Sequence, residues 1–188
     1  YLCAIGSAAL GANTSGGNNV AMGVSALGAN TTASNNTAVG TSALQANTTG
    51  YNNASVGAFS LLANTTGAFN TALGKDALGT NTTASNNTAV GHDALTSNNG
   101  GSQTAVGALA LYSNTSGSGC VAVGYKALEA QTTGSTNVAV GNQALRQATT
   151  AQLNVAVGND CMDAVTTAAF CVGVGRRALY RLTTGGNR

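Results

Sequence analysis

A glycine recurs every 17 residues along this chain, and the residues around it recur with it. These glycines close short Ala-Val-like runs at Gly6, Gly23, Gly40, Gly57, Gly74, Gly91, Gly107, Gly124, Gly141, Gly158 and Gly175. One step, from Gly91 to Gly107, is 16 residues, and the missing residue lies between Asn98 and Gln103. A period this short, in eleven copies without linkers, predicts a solenoid of stacked coils forming one continuous array over residues 1–188.

Each repeat contains one short segment that favours a β-strand. In the unit at residues 36–52, NTAVGTSALQANTTGYN, the segment is Asn36-Thr37-Ala38-Val39. Val and Thr favour strands, and four residues are too few for an ordinary helix. The glycine that follows permits a bend or a close approach of two backbones. We therefore predict an all-β fold, a β-solenoid of eleven coils in which the repeat-defining glycines include Gly40, Gly57, Gly74 and Gly91.

An Ala-Leu pair follows the glycine in most copies, as in Ala43-Leu44. We predict a second short strand or a tight turn here, with the leucine pointing into the coil; a short helix beginning at Ser42 is the alternative. Leucines of this phase are expected to be buried, together with the valine of the strand segment: Leu44, Leu78, Leu95. The two residues between glycine and alanine vary and include charges, so pairs such as Lys75-Asp76 and His92-Asp93 are expected to face solvent.

The Asn-Thr-Thr-Gly segment, such as residues 47–50, is expected to turn the chain back. Asn tolerates left-handed backbone and Gly supplies positive φ. Stacked coils also place these asparagines in a column, which predicts a ladder of side-chain amides through Asn13, Asn30, Asn47, Asn64, Asn81, Asn98 and Asn114. Other residue types take the phase after Asn114, beginning with Gln131. This indicates a change of surface near Gly119.

Charge is scarce, which narrows the classes of partner. Charged residues make up 6% of the chain and the net charge is +2, against about 25% charged residues in ordinary proteins. Nucleic acid and anionic membrane are therefore not expected partners, and no apolar run approaches the ~20 residues of a membrane span. The arginines near the end of the sequence are predicted to be a solvated basic end: Arg176, Arg177, Arg181, Arg188. Because the sequence starts and stops inside a repeat, we expect a segment of a longer fibre.

The residues that usually carry chemistry are not grouped in a catalytic pattern. His92 is the single histidine, and Asp76, Asp93 and Asp160 share a phase without occupying consecutive coils throughout. A calcium-binding roll would place Asp in every copy. We therefore expect no catalytic residue, no bound metal, no cofactor and no enzymatic activity. The cysteines match no zinc spacing and are expected to be free thiols: Cys3, Cys120, Cys161, Cys171.

A single chain of this kind buries little apolar surface per coil relative to the entropy of ordering it. Small residues at the Ala38 and Ala43 positions suggest a close neighbour on that side. Phe69, Leu153 and Phe170 share a phase that is usually Asn or Ser, and they are candidates for contacts with a neighbouring chain. These features predict a homo-oligomer, and we favour a trimer.

The Asn-x-Ala-Val-Gly-x-x-Ala repeat resembles the head repeats of YadA-type trimeric autotransporter adhesins, and similar repeats occur in phage and other viral fibres. The resemblance covers nearly the whole chain, through Val39-Gly40, Val90-Gly91, Val140-Gly141 and their copies. It implies a left-handed parallel β-roll with three chains to a head. The 17-residue unit is somewhat longer than the unit common in that family.

The resemblance favours an extracellular adhesin or viral tail-fibre segment, whose partners would be its own copies and a host-cell receptor or glycan. A self-assembling filament without a receptor and an ice-binding solenoid remain alternatives. Against ice binding, the two threonines of each pair are adjacent and cannot both face one side of a strand. Nine Asn-x-Ser/Thr tripeptides also occur, which we interpret first as repeated turn chemistry: they begin at Asn13, Asn30, Asn35, Asn47, Asn53, Asn64, Asn81, Asn86 and Asn114.

Overall fold

The computed structural model of the protein describes residues 1–186 and forms a β-solenoid, which confirms the predicted fold class. Eleven parallel strands make one sheet in strictly sequential order, and the described residues contain no helix. The strands are β1 Leu2–Ile5, β2 Asn19–Met22, β3 Thr37–Val39, β4 Ala54–Val56, β5 Thr71–Leu73, β6 Thr88–Val90, β7 Thr104–Val106, β8 Val121–Val123, β9 Val138–Val140, β10 Val155–Val157 and β11 Val172–Val174.

Each strand pairs with the next in the register that the repeat dictates. Ala21 lies opposite Ala38, and Ala38 lies opposite Ser55. Equivalent residues therefore form columns that run along the solenoid, with neighbours about 4.8 Å apart. Below, a column is the set of residues that occupy one position of the repeat in successive coils.

The Ala-Leu pair lies in a tight turn, so of the predicted options the second strand and the helix are wrong. Gly40 (φ 134°), Ser42 (φ 56°) and Leu44 (φ 52°) all have positive φ. Two successive turns are closed by hydrogen bonds from Ala43 N to Gly40 O (3.3 Å) and from Asn47 N to Leu44 O (3.2 Å). These turns orient the Leu44 side chain toward the interior and leave Thr41 on the outside.

The interior of each coil is thin and is filled mainly by alanine and leucine. Ala38, Ala43 and Leu44 are fully buried in the core of their own chain, and Leu78 and Leu95 are fully buried as well. The expectation that the two alanine positions face a neighbouring chain is wrong. The expected burial of the strand valine is also wrong, because a three-residue strand turns only its middle side chain inward. Val39 therefore lies on the outer face.

The predicted amide ladder is present. The Asn47 side-chain Nδ2 donates to Asn30 Oδ1 in the preceding coil (3.1 Å), and Asn64 Nδ2 donates to Asn47 Oδ1 (2.9 Å). Asn81 continues the series onto Asn64 Oδ1 (3.0 Å). Each amide also donates to a carbonyl of its own turn, as Asn47 does to Gly50 O (2.8 Å). Asparagine thus satisfies buried polar groups within the coil and between coils.

A second buried ladder, which the sequence analysis did not predict, runs along the column of Asn36. Asn36 Oδ1 accepts a hydrogen bond from the backbone N of Asn53 (2.9 Å), and Asn36 Nδ2 donates to Gly50 O (2.9 Å). The Asn36 side chain therefore links the start of its strand to Asn53 in the next coil and to Gly50 in the turn of its own repeat. The column is Asn19, Asn36, Asn53, Asn70, Asn87, Gln103, Cys120, Asn137, Asn154 and Cys171.

The chain bends at Thr48 and Thr49, within the Asn-Thr-Thr-Gly segment, but the positive φ predicted for its Asn and Gly is wrong. Neither Asn47 nor Gly50 has positive φ; beyond Gly40, the left-handed residues of this coil are Ser42, Leu44 and Asn52. Gly50 is required for space instead, since a Cβ there would lie 2.3 Å from Gly67 O and 2.5 Å from Asn47 Oδ1. Asn47 is required for the ladder.

The shortened coil lacks one residue where the sequence places the deletion. Asn98 remains in the ladder, because Asn114 Nδ2 donates to Asn98 Oδ1 (2.7 Å), and β6 and β7 stay in register. Within the described chain, the buried atoms Asn87 Nδ2 and Asn114 Oδ1 lack a hydrogen-bond partner. The Asn87 amide nitrogen faces the shortened turn and lacks the carbonyl that Asn70 reaches in the preceding coil, at Ala84 O. Asn114 Oδ1 is unpaired for another reason, since Gln131 follows it in the column and donates to Cys120 and Gly134 instead. The deletion therefore costs a polar contact in the turn region and leaves the sheet intact.

Candidate interaction surface

The outer face of the sheet carries two adjacent columns of mainly apolar side chains. In the three-residue strands β3 to β11 the first and third residues point outward, as Thr71 and Leu73 do on either side of buried Ala72. The corresponding residues are Val20 and Met22 in β2, and Cys3 and Ile5 in β1. The column of the third residue is entirely aliphatic or Met, and seven of its members are 36–71% exposed: Ile5, Met22, Val56, Leu73, Val106, Val157, Val174. We call these two columns the sheet face.

The sheet face is mixed up to β7 and uniformly apolar from β8. Its first column holds Cys3, Val20 and Ala54 beside Thr at residues 37, 71, 88 and 104, and is Val at residues 121, 138, 155 and 172. From β8 onward both columns therefore consist of valine. This change coincides with the end of the amide ladder at Asn114 and with the predicted boundary near Gly119.

A third column borders the sheet face and contains exposed large apolar residues in strained backbone. Phe69, Leu153 and Phe170 have φ of 57–58° and are 45–58% exposed. Asn holds the same place in other coils, for example Asn35 and Asn52, and tolerates left-handed φ better than Phe or Leu. Tyr51 packs edge-on against Phe69 with ring centroids 5.2 Å apart. These side chains enlarge the apolar surface at the border of the sheet face.

In threonine pairs such as Thr48-Thr49, the hydroxyl of the first residue is hydrogen-bonded to the next coil and the second residue is exposed. The hydroxyl of Thr48 donates to Thr65 O (3.1 Å), and Thr65 donates likewise to Thr82 O (3.1 Å). The second member of the pair, such as Thr49 or Thr66, is exposed. One column of exposed hydroxyls does not make the flat two-dimensional array that ordering of water would need.

Asp76, His92 and Asp93 form a cluster on the outer turn. One potential ligand atom from each lies within 4.8 Å of the others, and His92 Nδ1 is 3.2 Å from Asp93 Oδ2. The expected exposure is correct for Lys75 and His92 and wrong for Asp76 and Asp93, which are half-buried; Lys75 contacts the Asp76 carboxylate and His92 contacts that of Asp93. Lys75 donates to the Asp76 carboxylate, and this hydrogen bond raises the pKa of Lys75. A divalent cation at the cluster would have to compete with that ammonium group.

The last four coils carry paired charges along one side. Arg146 binds Asp163 through Nε (2.8 Å) and Nη2 (3.3 Å), and Asp163 is only 4% exposed. The hydrogen bond to Asp163 raises the pKa of Arg146. Lys126 pairs with Glu129 (3.0 Å) and Arg177 with Asp160 (3.5 Å). Of the predicted basic end, Arg176, Arg177 and Arg181 are exposed, while Arg188 lies outside the described residues.

The four cysteines are free thiols, as predicted, and three of them are buried. Cys120 replaces asparagine in the second ladder and accepts from Asn137 N (3.4 Å) and Gln131 Nε2 (2.9 Å) through its sulfur. Burial raises the pKa of the Cys120 thiol and of the Cys161 thiol. Both are therefore protonated at neutral pH and act as small apolar fillers.

The sequence did not predict the sheet face, because the strand valines were expected to lie inside the coil. A signal was available: two β-branched or aliphatic residues flank one alanine in most strands, as Val138 and Val140 flank Ala139. The alanine between them is the residue that points inward, because its side chain is small enough for the narrow interior of a coil.

Over residues 1–186 we find no helix of the length and apolarity needed to span a membrane. Comparison of the chain with protein-family models, with curated proteins and with solved structures gave no match. Function is therefore inferred from the surface of the solenoid itself.

Proposed function

We propose that this chain is a segment of an extracellular adhesin or tail fibre, and that three parallel copies assemble through the sheet face into a stiff rod that mediates attachment. The rod has no enzymatic role. The single observation that carries the proposal is the sheet face, which is mainly apolar and extends over all eleven strands.

The size of the sheet face supports burial against other copies. Eleven strands at about 4.8 Å per step give a length of about 50 Å, and two columns give a width of about 10 Å. The strip measures about 500 Å², comparable with the largest apolar patch on a typical monomer, and patches of this size often have a function. A second copy in parallel presents the same columns at the same spacing, so side chains can interdigitate along the full length.

Three copies are favoured by the resemblance of the repeat to YadA-type heads, in which three rolls surround one axis. The bordering column supports a closed arrangement of this kind. Phe69, Leu153 and Phe170 lie beside the sheet face, where a neighbouring chain would cover them. Their burial would offset the cost of left-handed backbone at large side chains.

Charged substitutions on the sheet face are expected to separate assembly from folding. The wild-type particle should have a mass of about 55 kDa, three times the 18.2 kDa chain. Leu73→Lys combined with Val106→Lys should reduce the particle to single chains, because both side chains are exposed in the isolated coil and covered in the assembly. Light scattering and native mass spectrometry measure the masses, and circular dichroism shows whether the β-fold survives.

The matched control is Thr66→Lys, which adds a charge to an exposed turn position away from the sheet face. It should leave the mass unchanged. Wild-type protein that is monomeric at micromolar concentration, or a trimer that tolerates both lysines, would contradict the assembly.

Attachment is expected to depend on the number of coils. Identical coils present identical side chains every ~4.8 Å, so weak contacts are multiplied along the rod and across three chains. Deletion of residues 41–57 removes one whole repeat and joins Gly40 to Ala58 in register. Beads coated with arrays of decreasing length should bind progressively less to immobilised glycans and to whole cells.

The attachment experiment also separates the alternatives. If the binding of the coated beads did not depend on the number of coils, the binding site would lie at a separate tip. Trimers that attach to none of the surfaces, at any length, would favour the filament without a receptor. A sharp loss of attachment on His92→Ala with the fold intact would instead assign binding to the Asp76, His92 and Asp93 cluster.

A further inference from the structure

The nine Asn-x-Ser/Thr tripeptides fall into two structural classes. Such a tripeptide is the acceptor sequence for N-linked sugar, provided that the asparagine amide is accessible. Six of the nine asparagines are 0–2% exposed: Asn30, Asn47, Asn53, Asn64, Asn81 and Asn114. Asn13 is half-buried, and Asn35 and Asn86 are exposed.

The seven asparagines that are not fully exposed use their amide nitrogens inside the fold. Asn47 Nδ2 is held by Asn30 Oδ1 and Gly50 O, as described for the amide ladder. Asn53 Nδ2 donates to Gly67 O (2.9 Å), and Asn13 Nδ2 donates to Gly16 O (3.0 Å). A sugar on any of these nitrogens would remove a buried hydrogen bond and would need space that the neighbouring coils fill.

Asn35 and Asn86 have the opposite environment. Both belong to the column that borders the sheet face, with φ of 60° and 62°, and their amide nitrogens donate no hydrogen bond to another described residue. The hydroxyl residues of the two tripeptides are Thr37 and Thr88, the first residues of β3 and β6, whose side chains point outward. Amide and hydroxyl are therefore presented together on one accessible edge, three coils or about 14 Å apart.

We propose that the folded single chain, before assembly covers the border of the sheet face, accepts N-linked sugar at Asn35 and Asn86, and that the other seven tripeptides are closed by the fold. The donor is a sugar activated as a nucleotide diphosphate ester, used by an N-glycosyltransferase. The asparagine nitrogen forms a bond to the anomeric carbon while the bond from that carbon to the phosphate oxygen breaks. The nucleoside diphosphate leaves with the electron pair, and the amide proton passes to a base of the transferase.

The test uses the full-length chain with Leu73→Lys and Val106→Lys, which is expected to be folded and monomeric, so that no second copy covers Asn35 or Asn86. The protein is incubated with UDP-glucose and a soluble N-glycosyltransferase, and occupancy is mapped by peptide mass spectrometry. Glucose is expected at Asn35 and Asn86, and at least tenfold less at each of the other sites. A synthetic peptide of residues 28–40 is the unfolded control, because it contains Asn30 and Asn35 without neighbouring coils. Both asparagines of the peptide should be modified, whereas only Asn35 should be modified in the protein.

Two substitutions on the same edge make the inference sharper. Ala54→Thr completes an acceptor tripeptide at Asn52, which is exposed and left-handed like Asn35, so a third site should appear. Thr37→Val should remove the site at Asn35, and Val already occupies that column at Val20 and Val121, so the fold should persist. Modification of Asn47, Asn64 or Asn81 in folded protein would overturn the proposal. So would an unmodified protein beside a modified peptide, or an unmodified Asn52 in the Ala54→Thr variant.

Discussion

Leu78→Asp is expected to abolish the native fold. Leu78 is fully buried between Leu61 and Leu95 of the adjacent coils, in a core otherwise made of alanine and leucine. A carboxylate in this column has no cationic partner, and burial of an unpaired charge places such a substitution in the range above about 4 kcal/mol. A solenoid gains much of its stability from contacts between neighbouring coils. A defect in the coil that contains Leu78 therefore separates the array into two short parts. Urea-induced unfolding followed by circular dichroism measures the loss.

The control for this experiment is Lys75→Asp in the same coil. Lys75 is exposed and pairs only with the adjacent Asp76. Because water screens this pair, its loss and the added repulsion from Asp76 and Asp93 should change the free energy of unfolding far less than Leu78→Asp does. If Lys75→Asp lowered the free energy of unfolding strongly while Leu78→Asp did not, the assignment of inner and outer columns would be reversed.

The sequence predicted the solenoid because a 17-residue period leaves few other solutions. It also predicted the leucine column and the first amide ladder, since stacking in register places equal residues next to each other. Asn47 and Asn64 illustrate this: their separation of one period implied contact, and the structure contains a 2.9 Å hydrogen bond between their side chains.

The side of the strand that faces inward could not be read from periodicity alone. An alternation such as Thr37-Ala38-Val39 fits two orientations, and hydrophobicity favours placing the valine inside. The structure places Ala38 inside because Leu44 of the same coil already fills the narrow interior. Volume, which depends on the whole coil, outweighs the preference of a single side chain for burial.

The conformational preferences of single residues could not predict the turn conformation either. Leucine rarely adopts left-handed backbone, yet Leu44 and its equivalents do so in successive coils. The local strain is offset because this conformation points a large apolar side chain into the core immediately after a turn. Rules for turns assign positive φ to Asn and Gly, and they therefore selected Asn47 and Gly50 incorrectly.

The candidate interaction surface was predictable only in part. Phe69, Leu153 and Phe170 were recognised as unusual for their phase, and the structure adds that they are exposed beside the sheet face. The sheet face itself required knowledge of which strand residues point outward. The separation of open from closed acceptor asparagines likewise required the hydrogen bonds, since Asn30 and Asn35 head equivalent tripeptides in the sequence.

Gly74→Ala should destabilise the protein by several kcal/mol, through backbone geometry. Gly74 has φ of 140°, a region that side chains disfavour, and an added Cβ would lie 2.4 Å from Gly91 O in the next coil. Backbone strain contributes about 1–3 kcal/mol and overpacking a similar amount. The displaced carbonyl belongs to the glycine whose backbone N donates to Leu73 O (2.8 Å), so the change also weakens the contact between the two coils.

Gly79→Ala, five residues later, is the matched control. Gly79 has no positive φ, and a Cβ there would lie 3.1 Å from Asp76 O, a turn contact that the column already accommodates at Gln45, Thr96 and Tyr112 in other coils. Alanine there should be neutral or stabilise the fold by up to about 1 kcal/mol, because it reduces the conformational entropy of the unfolded chain. Thermal and urea unfolding of the two variants provide the comparison. Equal destabilisation by both would mean that glycine serves general flexibility; a loss confined to Gly74→Ala would assign the 17-residue glycine to the close approach of successive coils.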